Sequence, residues 1–422
     1  MNVAALEAAL GARVTRATLL PGGASKEAWA VDTADGRELL VRRAGGGVIH
    51  LDTLSLRHEF EVLVAAREAG VAVPEPVAYL GEVDGREAFA MARVAGETIG
   101  RRIVRDPPPG LPEQMAEQLA RVHAIPPARL PFLPRGELLA RLTAELDAIG
   151  EPHPALEYGL AWCRERLPRG REAVVLHGDF RVGNLAVDER AGLVAVLDWE
   201  FARVGDPVED LAWPLVRAWR FGADERRLGG VGDVEPYLAR YRELTGRDVS
   251  LEELDAWEVL GNVKWGVGAL SQARRHLRGE QRDVELAILG RLAAEMEHEL
   301  LSLIARGEGR AAAATPEETA TPLVRHDRPS AGELAAAVRS FLADELLPAL
   351  DDPRRRFRTR VAMNALSIVE RESPPPAEPT DEEWALARRL RAGDVRPGDA
   401  EALAEIVRAK LAVASPTALR RD

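Results

Sequence analysis

The sequence predicts an α+β protein in which a β-rich small lobe leads into a mainly helical lobe and then into an all-α helical bundle. Three observations predict it. In roughly the first ninety residues, short β-like runs alternate with Gly-containing turns around one helical pattern. From Pro112 to Ile304 the apolar spacing is helical and is broken by a single short hairpin. Beyond a break rich in Thr, Pro and Ala, four amphipathic stripes occupy about ninety residues. A chain of 422 residues exceeds one ordinary core. It divides into a first lobe at 1–95, a second lobe at 96–306, a linker at 307–329 and a C-terminal helical domain at 330–422.

Taken in order, Ala28–Val31 and Glu38–Arg42 read as strands joined through the turn Ala34-Asp35-Gly36. A helix is expected over Leu56–Ala69, with Phe60, Leu63 and Val64 at helical spacing, and Pro74 and Pro76 forbid its continuation. Val77–Glu82 and Glu87–Val94 bracket Val83-Asp84-Gly85, a second hairpin signal. The hairpin of the helical lobe is Leu185–Val187, a turn at Glu189–Gly192, and Leu193–Leu197. Thr315-Pro316 and Thr321-Pro322 mark an exposed linker. After it, Ser330 and Glu333 have capping-box spacing. The four stripes are Leu334-Val338-Phe341-Leu342-Leu346, Val361-Ala365-Leu366-Val369, Trp384-Leu386-Leu390 and Leu403-Ile406-Val407-Leu411; together they can bury one another as a bundle.

Composition narrows the partners. A net charge of −12 argues against a nucleic-acid polyanion as partner. The single cysteine, Cys163, excludes an intrachain disulfide and a Cys-based metal cluster. Met1–Glu7 lacks the basic segment and apolar run of a signal peptide, and no charge-free apolar stretch reaches the roughly 20 residues that span a bilayer. A cytoplasmic protein without membrane contact is the expectation. Lys26, Lys264 and Lys410 are the only lysines among 56 basic residues.

The chemistry concentrates in Val174-Val175-Leu176-His177-Gly178-Asp179-Phe180-Arg181-Val182-Gly183-Asn184. An Asp two residues after a His and five before an Asn has the spacing of a kinase catalytic loop. There the Asp takes the proton of the substrate hydroxyl and the Asn binds Mg²⁺. A second carboxylate for the metal should lie near. Asp198 ends the strand that begins at Leu193, and a two-stranded hairpin returns the chain to its start, beside Asn184. Both side chains offer the hard oxygens that suit Mg²⁺.

His177-Gly178-Asp179-x4-Asn184, Leu197-Asp198-Trp199-Glu200 and Gly205-Asp206-Pro207-x-x-Asp210-Leu211-Ala212 together resemble the aminoglycoside-phosphotransferase and choline-kinase-like superfamily over about residues 10–305. The resemblance implies a bilobal protein-kinase-like fold with ATP between the lobes. It implies Asp179 as catalytic base, Asn184 and Asp198 as metal ligands, and His177 as a brace for the loop. Asp206 and Asp210 are either secondary site residues or anchors of the next helix. In the small lobe Pro21-Gly22-Gly23-Ala24-Ser25-Lys26 stands where the family has its phosphate loop, which makes Gly22, Gly23 and Ser25 cofactor-binding candidates. The family lysine on the α- and β-phosphates is replaced by Arg42, with Glu59 as its ion-pair partner. The backbone around Met91 and Arg93 is the expected adenine hinge.

Arg42-Arg43 is similar to a subset of the superfamily found fused to, or encoded beside, acyl-CoA dehydrogenases, and the tail is similar to an uncharacterised helical domain that accompanies it. The expected activity is therefore ATP- and Mg²⁺-dependent transfer of a phosphoryl group to a hydroxylated small molecule, with a hydroxyacyl-CoA as the favoured acceptor. An aminoglycoside- or choline-type kinase and a catalytically silent nucleotide-binding scaffold are the alternatives. Two stretches are candidates for the acceptor side. One is Trp213–Gly222, dense in aromatic and cationic groups; the other is Asn262, Lys264, Trp265, Gln272 and His276 on a later helix.

Overall fold

The computed structural model describes residues 1–20, 26–45, 53–168, 170–309, 327–374, 378–416 and 418–420. Most of the expected linker, at 310–326, lies outside the described residues, as do Gly22, Gly23 and Ser25. In chain order the small lobe holds α1 (Val3–Leu10), β1 (Val14–Leu19), β2 (Lys26–Thr33), β3 (Glu38–Ala44), α2 (Leu56–Glu68), β4 (Pro76–Val83) and β5 (Arg86–Ala92). Then come α3 (Gly100–Arg105), α4 (Leu111–His123), α5 (Leu138–Ile149), α6 (Pro154–Arg166), β6 (Val174–Leu176), β7 (Leu185–Asp188), β8 (Gly192–Val196) and β9 (Arg203–Gly205). The remainder is helical: α7 (Pro207–Ala212), α8 (Val234–Thr245), α9 (Leu251–Leu277), α10 (Val284–Gly307), α11 (Ala331–Phe341), α12 (Leu347–Ala349), α13 (Pro353–Glu372), α14 (Asp381–Arg391) and α15 (Asp399–Ala414). Two compact units result: Met1–Glu137 with Pro168–Glu258, and Leu138–Leu167 with Val259–Asp422.

The first unit is built on an antiparallel sheet of order β1-β2-β3-β5-β4. Its tightest turn follows from sequence. Asp84 and Gly85 both take positive φ, 58° and 72°, as a two-residue hairpin turn of the Asp-Gly kind requires. One sheet face packs Leu39, Val41, Ala90 and Val31 around fully buried Leu6 of α1. The sequence reading expects only one helix in this lobe and misses α1. It is eight residues long, capped by the Asn2 side chain on the Ala4 N–H and closed by left-handed Gly11. The other face meets α2, whose Phe60 lies 5.7 Å from Phe89 between ring centroids. Ser55 caps α2 through the His58 N–H, and Glu59 is buried in its first turn.

Further on in this unit, β7 and β8 form the expected hairpin. α4 supports it, with Gln114 Oε1 accepting from the Leu193 N–H at 2.7 Å. A second short ladder, β6 with β9, was not expected. It pairs Val174 with Gly205 and Leu176 with Arg203, and so joins the chain before His177 to the chain after Glu200.

In the second unit the capping box at Ser330 and Glu333 is present. α11 and α13 pack on one another, as a self-contained bundle would have them do, but α14 packs chiefly on α6 and α15 on α10. The physical reason is in the side chains. Arg391 of α14 pairs with Glu157 of α6 and with Asp147, and α15 buries Leu403, Val407 and Leu411 completely. The stripe on α13 stays at the surface, with Val361 53% and Val369 47% exposed.

Candidate active site

The stretch from His177 to Asn184 leaves β6 and turns at once. Gly178 has φ +81°, and a Cβ there would collide with the Phe201 carbonyl oxygen, so only glycine fits. Fully buried Asp210 holds this turn, accepting the His177 N–H at 2.7 Å and the Gly178 N–H at 2.9 Å. Behind it stands His123, with Nε2 3.4 Å from Asp210 and Nδ1 2.8 Å from the Tyr241 hydroxyl. Burial alone would raise the Asp210 carboxyl. The His123 contact and the bonds to the turn outweigh it and hold the group below the ordinary aspartate range. Asp206 has a separate task, capping α7 through the Val208 N–H.

His177 braces the loop. Its Nδ1 accepts the Asp179 N–H at 3.2 Å, which leaves the proton on Nε2, and Nε2 donates to the Leu197 carbonyl at 3.0 Å. Burial pushes this imidazole below its ordinary value, in keeping with the neutral form that the pattern needs.

Asp179 is oriented by three donors: Trp213 Nε1 at 2.7 Å from Oδ1, Asn184 Nδ2 at 2.6 Å from Oδ2, and Arg181 Nε shared between them at 3.1 and 3.3 Å. A carboxylate has about four lone-pair positions and each oxygen meets two of these contacts, but the split Arg181 bond is the longest of them, so an incoming group would take its place on one oxygen. The Arg181 guanidinium lies 4.5 Å above the Trp219 ring, and Trp213 and Trp219 pack at 5.4 Å. Aromatic and cationic surface thus surrounds the carboxylate.

The hairpin closes as its sequence requires, the Leu197 N–H donating to the Asn184 carbonyl at 2.8 Å. This brings the two candidate metal ligands to adjoining backbone. Asn184 spends its amide N–H groups on Asp179, through the carbonyl at 2.9 Å and through Oδ2, which turns its own oxygen away from them. Asp198 adopts φ +64°, a left-handed conformation that is uncommon outside glycine and that clusters at functional sites. Its Oδ1 receives Arg42 Nη1 at 3.0 Å, and Arg42 also reaches Glu59 Oε1 at 2.9 Å. Lys26 Nζ bridges Glu59 Oε2 at 2.7 Å and Glu200 Oε2 at 2.8 Å. Burial works to raise the Asp198 carboxyl, but Arg42 and then Lys26 hold it below the ordinary range. Glu200 goes the other way, raised first by burial and then by Asp198.

A family model described as the phosphotransferase enzyme family matches residues 16–244, more than half of the chain. The chain belongs to that family. This phosphotransferase is 27% identical over 312 residues to acyl-CoA dehydrogenase family member 10 of Mus musculus, covering 65% of this chain and 28% of that protein. To acyl-CoA dehydrogenase family member 11 of Pongo abelii it is 26% identical over 321 residues, covering 69% and 40%. It thus spans well under half the length of these curated relatives. Among solved structures, a Ralstonia eutropha JMP134 protein provisionally described as an aminoglycoside phosphotransferase superposes with a TM-score of 0.58 at 18% identity, covering 74% of this chain and 99% of that one. A macrolide 2′-phosphotransferase of type I gives 0.50 at 20%, covering 70% and 94%. These superpositions show the kinase-like fold of the phosphotransferase.

Of the residues singled out in the sequence, the phosphotransferase brings Asp179 and Asn184 together at one point and Arg42, Glu59 and Asp198 at another. Met91 is buried in β5 opposite Leu40, and the Ala92 and Arg93 N–H groups donate to the Glu75 and Glu38 carbonyls. The Arg93 guanidinium turns to Asp32 at 2.8 Å and Glu38 at 2.5 Å, away from the Arg42 cluster. Asn262, Lys264, Trp265, Gln272 and His276 fall in the part of α9 that belongs to the second unit, where His276 Nδ1 accepts the Asp283 N–H. Sequence reasoning did not place Lys26, Glu200 and Arg181 in the site. The signal for all three was their place inside the quoted motifs, and for Lys26 also its rarity as a lysine.

Proposed function

We propose that this phosphotransferase transfers the γ-phosphoryl group of ATP, with Mg²⁺, to a hydroxyl of a small metabolite, and that the acceptor is a hydroxyacyl-CoA or a close relative. The observation that carries the reading is Asp179, fixed by three donors of which the split Arg181 bond, the longest, can yield one acceptor position. That position suits an acceptor hydroxyl, which must be aligned and must lose its proton as the phosphoryl group arrives. The donor set at Asn184 and Asp198, an amide oxygen turned away from Asp179 and a carboxylate 34% exposed, fits a hard divalent cation. When bound there, Mg²⁺ would neutralise charge on the transferring phosphoryl group. Arg42, held by Glu59, stands as the cation for the nucleotide phosphates.

Two things support the acceptor class. A polycationic drug would meet the Arg181 guanidinium beside Asp179, whereas an anionic acceptor with apolar parts would meet Arg181, Trp213 and Trp219. The named relatives also carry acyl-CoA dehydrogenase in their names. The test is incubation with Mg-ATP and a panel of hydroxyacyl-CoAs, free hydroxy acids, choline and aminoglycosides, read by mass spectrometry with Asp179→Asn as control. A hydroxyacyl-CoA one phosphate heavier, made by the wild type alone, is the expected result. Phosphorylation only of an aminoglycoside or choline would replace the acceptor assignment. No product from any of them, with Mg-ATP still bound, would leave a nucleotide-binding scaffold as the reading.

A further inference from the structure

We propose that Lys26, the first residue of β2, is a second cation on the nucleotide phosphates, forming with Arg42 a two-cation grip in place of the single lysine expected on β3. The inference rests on the reading of this site as a nucleotide site. Pairing of β2 with β3 sets Ala28 opposite Arg42, and Lys26, two residues before Ala28, lies on the same face of the sheet. The side chains converge as that register requires. One carboxylate, Glu59, holds both cations by one oxygen each, Lys26 at 2.7 Å and Arg42 at 2.9 Å. Each cation also has a partner on the segment after β8: Glu200 for Lys26 at 2.8 Å, and Asp198 for Arg42 at 3.0 Å. Lys26 is therefore built into the same constellation as the candidate metal ligand.

Donor arithmetic gives it something to do there. An ammonium has three N–H groups, and among the described residues two carboxylates take two, so one remains there for a phosphate oxygen. A compact ammonium on a flexible stem can keep Glu59 and turn toward an arriving anion, which complements the rigid fork of Arg42. Lys410 provides the contrast. It too is buried between two carboxylates, Glu297 at 3.1 Å and Asp327 at 3.2 Å, but neither belongs to the site, and its task is structural.

The experiment is a calorimetric titration of the full chain with Mg-ATP, Mg-ADP, AMP and adenosine, in the wild type, Lys26→Met and Lys26→Arg. Lys26→Met is expected to lose on the order of tenfold in affinity for Mg-ATP and Mg-ADP, the worth of one charge-assisted bond to phosphate, and to keep adenosine within about twofold. Lys26→Arg is expected to recover most of the loss. Unchanged affinities in Lys26→Met, or a uniform fall that includes adenosine, would overturn the proposal and leave Lys26 a strut between Glu59 and Glu200. A wild type that binds none of the four ligands would sink the nucleotide-site reading itself, and the role of Lys26 with it. Should Lys26→Met not fold, Lys26→Gln, whose amide still donates to Glu59, carries the same comparison.

Discussion

Replacing Asp179 by asparagine changes one oxygen to an amide nitrogen in front of Trp213, Arg181 and Asn184, all of which donate to it. The proposed proton acceptor is lost while the cations and carboxylates around Arg42 stay as they are. Turnover is expected to fall about a hundredfold or more, with Mg-nucleotide affinity nearly unchanged; steady-state kinetics beside a binding titration would show both. A wild-type rate in the variant would remove Asp179 from the chemistry. His177 sets a pH dependence whose sign can be worked out. Its imidazole lies below the ordinary value when folded, so below about pH 6.5 the unfolded chain takes up a proton that the folded chain refuses. Stability from this residue is complete above that pH and declines as pH falls toward the folded value. Asp198 and Asp210, both held low, lose their contribution only below about pH 3.9, outside that window. Glu200, held high, works in the opposite sense above the ordinary glutamate value, so the comparison has to be made against a variant. Melting curves between about pH 8 and pH 5 should show a steeper acid decline in the wild type than in His177→Gln. Parallel curves would mean that His177 charges freely in the fold.

The loop from His177 to Asn184 is an element whose geometry depends on one glycine. Gly178→Ala must place a Cβ against the Phe201 carbonyl at φ +81°, and it is expected to destabilise the fold by about 3 kcal/mol or more. Denaturant unfolding measures this, and a loss within about 0.5 kcal/mol would show that the turn can relax. At this scale the sequence was readable wherever a residue type has one geometric use. Asp84-Gly85 announced its hairpin, Ser330 and Glu333 their capping box, and His177, Asp179 and Asn184 their loop. β6 and β9 were not readable, because strands of three residues carry no period and Arg203-Val204-Gly205 has no apolar alternation. α1 was hidden for a similar reason: eight residues, mostly alanine and leucine, give no polar face to mark a helix. The Arg42 cluster was half legible. Glu59 followed from the family pattern, but the reach of Lys26 to Glu59 and Glu200 depends on strand register and on how the chain returns after β8, and neither is written in local spacing.

For the whole molecule, the division into two units separates what can be altered at the site from what can be altered elsewhere. The described groups around Asp179 and Arg42 all belong to the first unit, while Lys410, Glu297 and Asp327 belong to the second. Lys410→Met would strand two buried carboxylates and is expected to cost about 3–5 kcal/mol, seen as a lower melting temperature, with nucleotide affinity of the folded protein unchanged. Equal melting temperatures would show that the carboxylates find other partners or protons. The division also explains why the tail was only partly legible: amphipathic stripes say that a helix must pack, but not on which neighbour, and α14 and α15 pack chiefly on α6 and α10. The placement of the lysines has a further consequence, for reactivity. Lys26 and Lys410 are 9% and 6% exposed, each committed to two carboxylates, and Lys264 is partly buried. An amine-seeking electrophile, a reactive thioester among them, finds the amines of Lys26 and Lys410 sheltered in the folded chain. Acylation at Lys26 or Lys410 would therefore report how often the chain unfolds there, rather than how much electrophile surrounds it.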